Sequence, residues 1–102
     1  MKITTWNVNS INVRIEQLID FLENEKPTVI GLQELKCINE KFPLAQIETL
    51  DYHVVMNGQP TYNGVALLSN KPITDVVLDI PGFEDSEKRV IAGTIDGVRV
   101  IN

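Results

Sequence analysis

The chain has 102 residues and therefore forms one domain at most. Hydrophobic residues make up 43% and charged residues 23%, an ordinary composition for a globular protein that excludes the disordered and low-complexity classes. The net charge of −5 is spread along the chain, so there is no basic patch for non-specific binding of nucleic acid. An acidic balance is still compatible with a site that grips phosphate through a bound cation, because the cation inverts the local charge.

The first half of the chain predicts a strand–helix–strand unit. Residues 2–8 are typical of a mostly buried strand. Apolar residues at helical spacing then predict an amphipathic helix over 12–25, with Ser10 or Asn12 as its cap. Residues 28–33 form a short apolar run suited to a central strand parallel to the first. The crossover between the two strands should be right-handed.

The second half of the chain predicts mainly strands. A short helix is expected over 43–50, followed by strands over 52–57, 65–69, 73–80, 90–95 and 98–101. The last two flank Asp96-Gly97, which is typical of a type I′ hairpin. Seven strands need more cover than two helices provide. We therefore expect residues 1–102 to be the incomplete N-terminal part of a larger domain, and to aggregate or fold only partly when alone.

The cysteine content and the N-terminus indicate a compartment. Cys37 is the only cysteine, which excludes an internal disulfide and indicates a reducing environment. The first residues do not form a signal peptide, and no apolar run reaches membrane-spanning length. We therefore predict a cytoplasmic protein.

Polar clusters follow the first two predicted strands, where open α/β sheets bind their ligands. The first cluster includes Asn7, and the second includes Glu34 and Lys36. Because the two strands should lie side by side, we expect Asn7 and Glu34 to meet. A carboxylate there suits Mg²⁺, and an amide beside it would bind phosphate or orient the carboxylate. From the residues alone, a loop glutamate paired with Lys36 and a turn asparagine remain open alternatives.

Further candidates for binding phosphate lie in three other places. Asn9, Ser10 and Arg14 lie at the start of the first helix, where free backbone N–H groups bind anions, although capping and a solvated helix face explain them equally well. A second group, Tyr62, Asn63 and Gly64, precedes an apolar strand and is otherwise an ordinary loop end. Arg89 either faces the site or pairs with a nearby acidic residue.

The rest of the sequence indicates no other catalytic site. His53 is the only histidine and is predicted to be structural, at a strand edge. The motifs of P-loop, dinucleotide-binding, zinc-protease and serine-hydrolase sites do not occur.

Six segments, in order and at matching spacing, resemble the opening of bacterial exodeoxyribonuclease III, within the endonuclease/exonuclease/phosphatase superfamily. They are Met1 to Ile11 with Arg14, Leu32 to Lys36, Tyr62 to Ser69, Pro81 to Asp85, Arg89 to Ala92, and Gly97 to Asn102. The resemblance covers essentially the whole chain. It implies a DNA-repair nuclease that depends on Mg²⁺, with Mn²⁺ as an alternative. The implied partner is double-stranded DNA with abasic sites or blocked 3′ ends, and the implied full-length enzyme is monomeric.

The resemblance also implies a fold and a set of site residues. The fold is a four-layer, DNase I-like α/β sandwich, with two mixed sheets packed together and helices outside. Asn7 and Glu34 would be the catalytic residues at the metal. The remaining candidates would lie in or near DNA-facing loops: Asn9, Ser10, Arg14, Lys36, Tyr62, Asn63, Gly64 and Arg89.

The chain departs from the family pattern in one large respect. A tyrosine, an Asp-x-Asn pair, a further aspartate and an Asp-His pair, which the family uses in catalysis, are not among these residues. We therefore expect the 102-residue chain to be nearly inactive alone. The alternatives are another phosphoesterase of the superfamily, acting on small phosphoesters, and a non-catalytic interaction module.

Overall fold

The secondary structure forms in the order that the sequence predicts, and the computed structural model describes every residue from 1 to 102. The helices are α1 (Ile11–Glu25) and α2 (Leu44–Glu48), with a short 3-10 helix at Asn39–Lys41. The strands are β1 (Ile3–Asn7), β2 (Val29–Gln33), β3 (His53–Asn57), β4 (Val65–Ser69), β5 (Thr74–Leu78), β6 (Ile91–Ile95) and β7 (Val98–Ile101).

Four strands form a mixed sheet, sheet A, in the order β1-β2-β4-β3. β1 and β2 are parallel, with Ile3 opposite Val29 and Asn7 opposite Gln33, as the predicted strand–helix–strand unit requires. β4 lies antiparallel to both β2 and β3. β3 is therefore an edge strand, and its exposed His53 confirms the predicted edge position.

The helices cover one face of sheet A. The side chains of Ile11, Leu18 and Leu22 on α1 are fully buried in the core that this face forms. Each contributes about 1.5–3 kcal/mol through removal of its apolar surface from water. α1 ends at Lys26, which adopts a left-handed conformation and donates its N–H to the Leu22 carbonyl. None of the helices is both long and apolar enough to cross a lipid bilayer.

The prediction that the side chain of Ser10 or Asn12 caps the start of α1 is wrong. Ser10 occupies the cap position, but its side chain makes no capping hydrogen bond. The Asn12 side chain donates to the Lys41 carbonyl at 3.4 Å instead. The helix start is held by backbone bonds to the loop after β2, which the sequence did not indicate.

The other face of sheet A packs against an antiparallel sheet, sheet B, in the order β5-β6-β7. The core between the sheets contains Val29, Val65, Leu67, Ile91 and Ile95. The β6–β7 hairpin turns at Asp96 and Gly97, whose φ angles of 53° and 79° fit the predicted type I′ turn. Sheet A is mixed, and sheet B is antiparallel over the strands present.

Sheet B carries apolar surface that no helix covers. Ile101 is 73% exposed and Leu78 is 48% exposed. The chain thus contains three layers, helices, sheet A and sheet B, with the uncovered sheet surface that the strand count predicts. Its behaviour alone in solution stays a prediction.

Candidate metal and phosphate site

The ends of β1 and β2 bring Asn7 and Glu34 into direct contact. The Asn7 side-chain Nδ2 donates a hydrogen bond to Glu34 Oε2 at 2.5 Å. The contact follows from the parallel register, because Asn7 lies opposite Gln33 and Glu34 is the next residue. Asn7 Oδ1 accepts a bond from the Asn9 N–H at 3.1 Å, so the amide is held at both ends. The prediction that these two strand ends meet is confirmed.

Two neighbours favour the ionised form of the Glu34 carboxyl group. The hydrogen bond from Asn7 holds the pKa of Glu34 below its ordinary value, and the Lys36 charge lowers it further against an opposing effect of burial. Lys36 Nζ lies 3.6 Å from Glu34 Oε1 and donates to Asn9 Oδ1 at 2.6 Å. The site therefore presents a carboxylate, the form that binds a cation, at neutral pH.

The loop that carries Glu34 has an unusual backbone. Glu34 and Lys36 both have φ angles of 55°, in the left-handed region that residues with a Cβ rarely adopt. The loop is held by the Leu35 N–H on the Gly64 carbonyl at 3.1 Å and the Lys36 N–H on the Asn63 carbonyl at 2.9 Å. Such conformations persist only where the surroundings enforce them, and they concentrate at functional sites.

The start of α1 is tied to the same loop. The Ser10 N–H donates to the Glu34 carbonyl at 2.9 Å, and the Ile11 N–H donates to the Leu35 carbonyl at 3.0 Å. These two amides are therefore already bonded within the protein, and the geometry favours positioning of the loop over the anion binding expected for the helix start. The Arg14 N–H donates to the Ser10 carbonyl at 3.3 Å, and the Arg14 side chain makes no hydrogen bond or ion pair within the chain.

A pocket of about 200 Å³ opens at this edge of sheet A. It is lined by Asn7, Gln33, Glu34, Asn63, Gly64, Val65, Lys88 and Arg89. Glu34 is the only carboxylate in this lining, and Lys88 and Arg89 are the cations. The sequence left open whether Arg89 faces the site or pairs with a nearby acidic residue. Both are observed, because Arg89 lines the pocket and pairs with Glu87 at 2.6 Å. The pocket therefore combines one anion with two cations.

The other predicted site residues lie around this pocket at different distances. Asn63 and Gly64 line it, whereas Asn9 and Lys36 reach it only through their bonds to Asn7 and Glu34. Tyr62 is 68% exposed and does not line it. The chemical roles of these residues stay predictions.

Sequence reasoning missed two contributors to the site. Lys88 directly precedes Arg89, so its position just before β6 was a usable signal. Asn102 makes three side-chain hydrogen bonds beneath the pocket, to partners 36 to 70 residues away along the chain. No local pattern indicates such contacts.

The donor set fits one hard cation. Mg²⁺ is commonly held by one or two carboxylates with waters completing its shell, which the Glu34 carboxylate and the neighbouring amide oxygens allow. No group of three or more His, Cys, Asp or Glu side chains lies together in the chain, so a closed zinc-type site does not form. Glu34 is thus the residue that would hold the metal, with Asn7 orienting its carboxylate.

Comparison with known proteins identifies relatives of the chain in sequence and in structure. Residues 4–102 match the sequence profile of the Endonuclease/Exonuclease/phosphatase family. Exodeoxyribonuclease III of Haemophilus influenzae is 38% identical over 97 residues, a match that covers 94% of this chain and 36% of that protein.

Two solved structures extend the likeness to the fold. The 3′-5′ exonuclease NExo from Neisseria meningitidis is 49% identical with a TM-score of 0.96, covering 99% of this chain and 40% of NExo. An AP endonuclease from Archaeoglobus fulgidus is 39% identical with a TM-score of 0.93, covering 99% of this chain and 39% of that structure. These matches confirm the resemblance and the fold class drawn from the sequence. The chain spans about two fifths of each of these proteins.

Proposed function

The chain belongs to the endonuclease/exonuclease/phosphatase family, and from this membership we propose that it is the N-terminal part of a Mg²⁺-dependent DNA-repair nuclease. The proposed reaction is hydrolysis of phosphodiesters at abasic sites and 3′ ends of double-stranded DNA. The named activities of its relatives, an exodeoxyribonuclease, a 3′-5′ exonuclease and an AP endonuclease, support this class of substrate.

One observation carries the proposal: the Asn7–Glu34 hydrogen bond at the mouth of a pocket that also contains Lys88 and Arg89. A carboxylate with a lowered pKa is the ligand that a hard cation needs. The two basic side chains line the same pocket, and we propose that they neutralise phosphate oxygens in exchange for their ion pairs with Asp79 and Glu87. A bound Mg²⁺ or Mn²⁺ would stabilise the charge that develops on the phosphate or the leaving oxygen.

Each of the site residues has a defined part in this proposal. Glu34 holds the metal, and Asn7 keeps the carboxylate ionised and correctly turned. Lys88 and Arg89 bind the phosphate, with Asn63 and Gly64 forming the wall of the pocket. Only this half of the machinery is supplied by residues 1–102.

The base that activates water would come from elsewhere in the protein, because Glu34 is the only carboxylate in the pocket and serves the metal. We therefore propose that residues 1–102 are an incomplete domain with little activity alone. The full-length enzyme is proposed to act as a monomer. The single buried cysteine supports a reducing, cytoplasmic location.

The test compares Glu34→Gln with wild type in the protein expressed from its complete reading frame. The substitution keeps the size of the side chain and its ability to accept from Asn7, but removes the charge. We expect Mg²⁺-dependent cleavage of duplex DNA containing one abasic site to fall at least about 100-fold, the usual loss of one group that stabilises the transition state. The matched control is Glu16→Gln, on the exposed face of α1 and in no ion pair.

Three substrates separate the proposal from its alternatives. Cleavage of abasic duplex DNA or of a 3′-phosphorylated duplex supports the nuclease. Hydrolysis of small phosphoesters without cleavage of either duplex supports another activity of the same family. A protein inactive on all three, with every variant folded, contradicts both and favours a non-catalytic interaction module.

A further inference from the structure

The Asn102 side chain joins the two sheets beneath the candidate site. Its Nδ2 donates to the Leu32 carbonyl at 3.0 Å and to the Ala66 carbonyl at 2.9 Å, one on β2 and one on β4. The Asn102 backbone pairs with Ile91 through both its N–H and its carbonyl, which extends the hairpin of sheet B. The side chain thus spans from sheet B to the backbone of sheet A.

Gly31 makes room for this contact. A Cβ atom at residue 31 would lie 3.0 Å from both Cγ and Oδ1 of Asn102, tighter than ordinary van der Waals contact. Gly31 has no positive φ angle, so the backbone itself does not require glycine there. The glycine in β2 is therefore explained by the Asn102 side chain that packs over it.

The two carbonyls determine how the Asn102 amide is oriented. Carbonyl oxygens accept hydrogen bonds and never donate them, so the atom between Leu32 and Ala66 must be the NH₂ group. Oδ1 then faces the other way, and it accepts a bond from Gln33 Nε2 at 2.6 Å. The position of Asn102 Oδ1 therefore determines where the Gln33 Nε2 group points.

The Gln33 amide is oriented by three acceptors. Besides Asn102, its Nε2 donates to Thr5 Oγ1 at 2.9 Å and approaches the Gly31 carbonyl at 3.2 Å. Both donor hydrogens are thus engaged within the protein, in a side chain that lines the pocket together with Asn7 and Glu34. Because the Nε2 donors already have acceptors, Oε1 is the Gln33 atom that can bind an additional partner. An amide oxygen can accept from a water of a hydrated cation or bind the cation itself.

Gln33 also couples this bridge to the reacting groups. It lies opposite Asn7 in the β1–β2 register and directly precedes Glu34. The bond to Thr5 ties β1 to β2 on the same face of the sheet. The Gln33 side chain is therefore the link between Asn102 and the strand ends that carry the Asn7–Glu34 contact.

We propose that Asn102 is a positioning residue for the metal site, acting through Gln33 to hold the Glu34 carboxylate against Asn7. The inference rests on the proposed function and adds to it a residue from sheet B that never touches the substrate. Outer residues that orient metal ligands commonly contribute about 10- to 100-fold to metal affinity. The Asn102–Gln33 bridge is assigned that role.

The test measures Mn²⁺ affinity, by electron paramagnetic resonance of the free ion, in the protein expressed from its complete reading frame. Two variants break the bridge in different ways. Asn102→Ala removes it together with the bonds between the sheets. Gln33→Met removes it together with the Gln33 bonds to Thr5 and Gly31, and keeps the Asn102 donors to Leu32 and Ala66. The control is Val100→Ala, which weakens the packing of β7 on sheet A without reaching Gln33.

We expect both bridge variants to raise the Mn²⁺ dissociation constant at least about tenfold. In cleavage of abasic duplex DNA, the metal concentration for half-maximal rate should rise while KM for DNA stays unchanged. Val100→Ala should lower the thermal midpoint and leave Mn²⁺ affinity within twofold of wild type. If Asn102→Ala does not fold, normal Mn²⁺ affinity in a folded Gln33→Met variant still overturns the role of the bridge.

The outcomes separate this inference from the proposed function. A wild-type protein that binds Mn²⁺ and cleaves DNA, with a folded Gln33→Met variant that binds Mn²⁺ normally, overturns the role of Asn102 alone. Equal losses of affinity in Val100→Ala and the bridge variants also overturn it, because general destabilisation would then explain both. A wild-type protein that neither binds Mn²⁺ nor cleaves DNA overturns the proposed function, and the role of Asn102 with it.

Discussion

The substitution Gly31→Ala should destabilise the protein only when the Asn102 side chain is present. The added methyl group would lie 3.0 Å from Asn102 Cγ and Oδ1. Either the methyl group stays and strains the packing, at about 1–3 kcal/mol, or Asn102 swings away. Swinging away loses three hydrogen bonds at about 1 kcal/mol each.

The protein takes the less costly of these routes, so the cost is at most about 3 kcal/mol. Replacing a strand glycine by alanine returns about 0.5–1 kcal/mol, because the unfolded chain loses freedom. The net loss in the free energy of unfolding should therefore be at most about 2.5 kcal/mol. In the Asn102→Ala background the obstacle is gone, and the same change should be neutral or stabilising by about 0.5 kcal/mol.

The assay is urea unfolding of four proteins, each expressed from the complete reading frame: wild type, each single variant and the double variant. A coupling free energy of about 1–3 kcal/mol between residues 31 and 102 is expected, because the gain from alanine cancels between the two backgrounds and leaves the packing cost. Gly93→Ala is the matched control, because its Cβ would meet Ile73 Cγ2 at 2.7 Å and none of the three nearest atoms belongs to Asn102. Its cost should be equal in both backgrounds. An equal cost for Gly31→Ala in the two backgrounds would refute the packing argument.

Two further predictions follow from the pKa shifts. Asn7→Ala removes the main cause of the lowered pKa of Glu34, so the acidic limb of the pH profile of Mn²⁺ binding should move to higher pH. The control, Asn24→Ala on the exposed face of α1, should leave that limb in place. A pH profile unchanged in Asn7→Ala would show that Asn7 does not hold the carboxylate. Burial raises the pKa of the Cys37 thiol above its ordinary value of 9.0, so the thiol should react with a disulfide reagent at neutral pH only after unfolding. Because the folded pKa is the higher one, the free energy of unfolding should also fall as pH rises above about 9, and Cys37→Ala should remove that part of the pH dependence. Rapid reaction of the native protein at pH 7 would contradict the burial argument.

Much of the fold was determined by local patterns in the sequence. The spacing of Ile11, Leu18 and Leu22 predicts α1, because a helix buries one face every 3.6 residues. Asp96-Gly97 predicts the β6–β7 turn, since few other residue pairs adopt two positive φ angles. The contact between Asn7 and Glu34 was also predictable, because a short crossover makes neighbouring parallel strands end at the same edge.

The chemistry at the helix start was decided by tertiary structure. Ser10 has the right identity for a cap, yet the amides of Ser10 and Ile11 bond to the carbonyls of Glu34 and Leu35. The left-handed backbone at Glu34 and Lys36 likewise has no local cause, since neither residue type favours it. Both features follow from the packing of three loops, which are the loop after β1, the loop after β2 and the loop before β4.

Sequence alone thus determined the strand order within the first unit, the helix and the pair of residues at the strand ends. Only the tertiary structure decided that Lys88 lines the pocket and that Asn102 reaches Gln33 across 69 residues. The physical reason is range. Periodicity and turn chemistry act over a few residues, whereas the packing of sheet B on sheet A brings together groups that no local pattern relates.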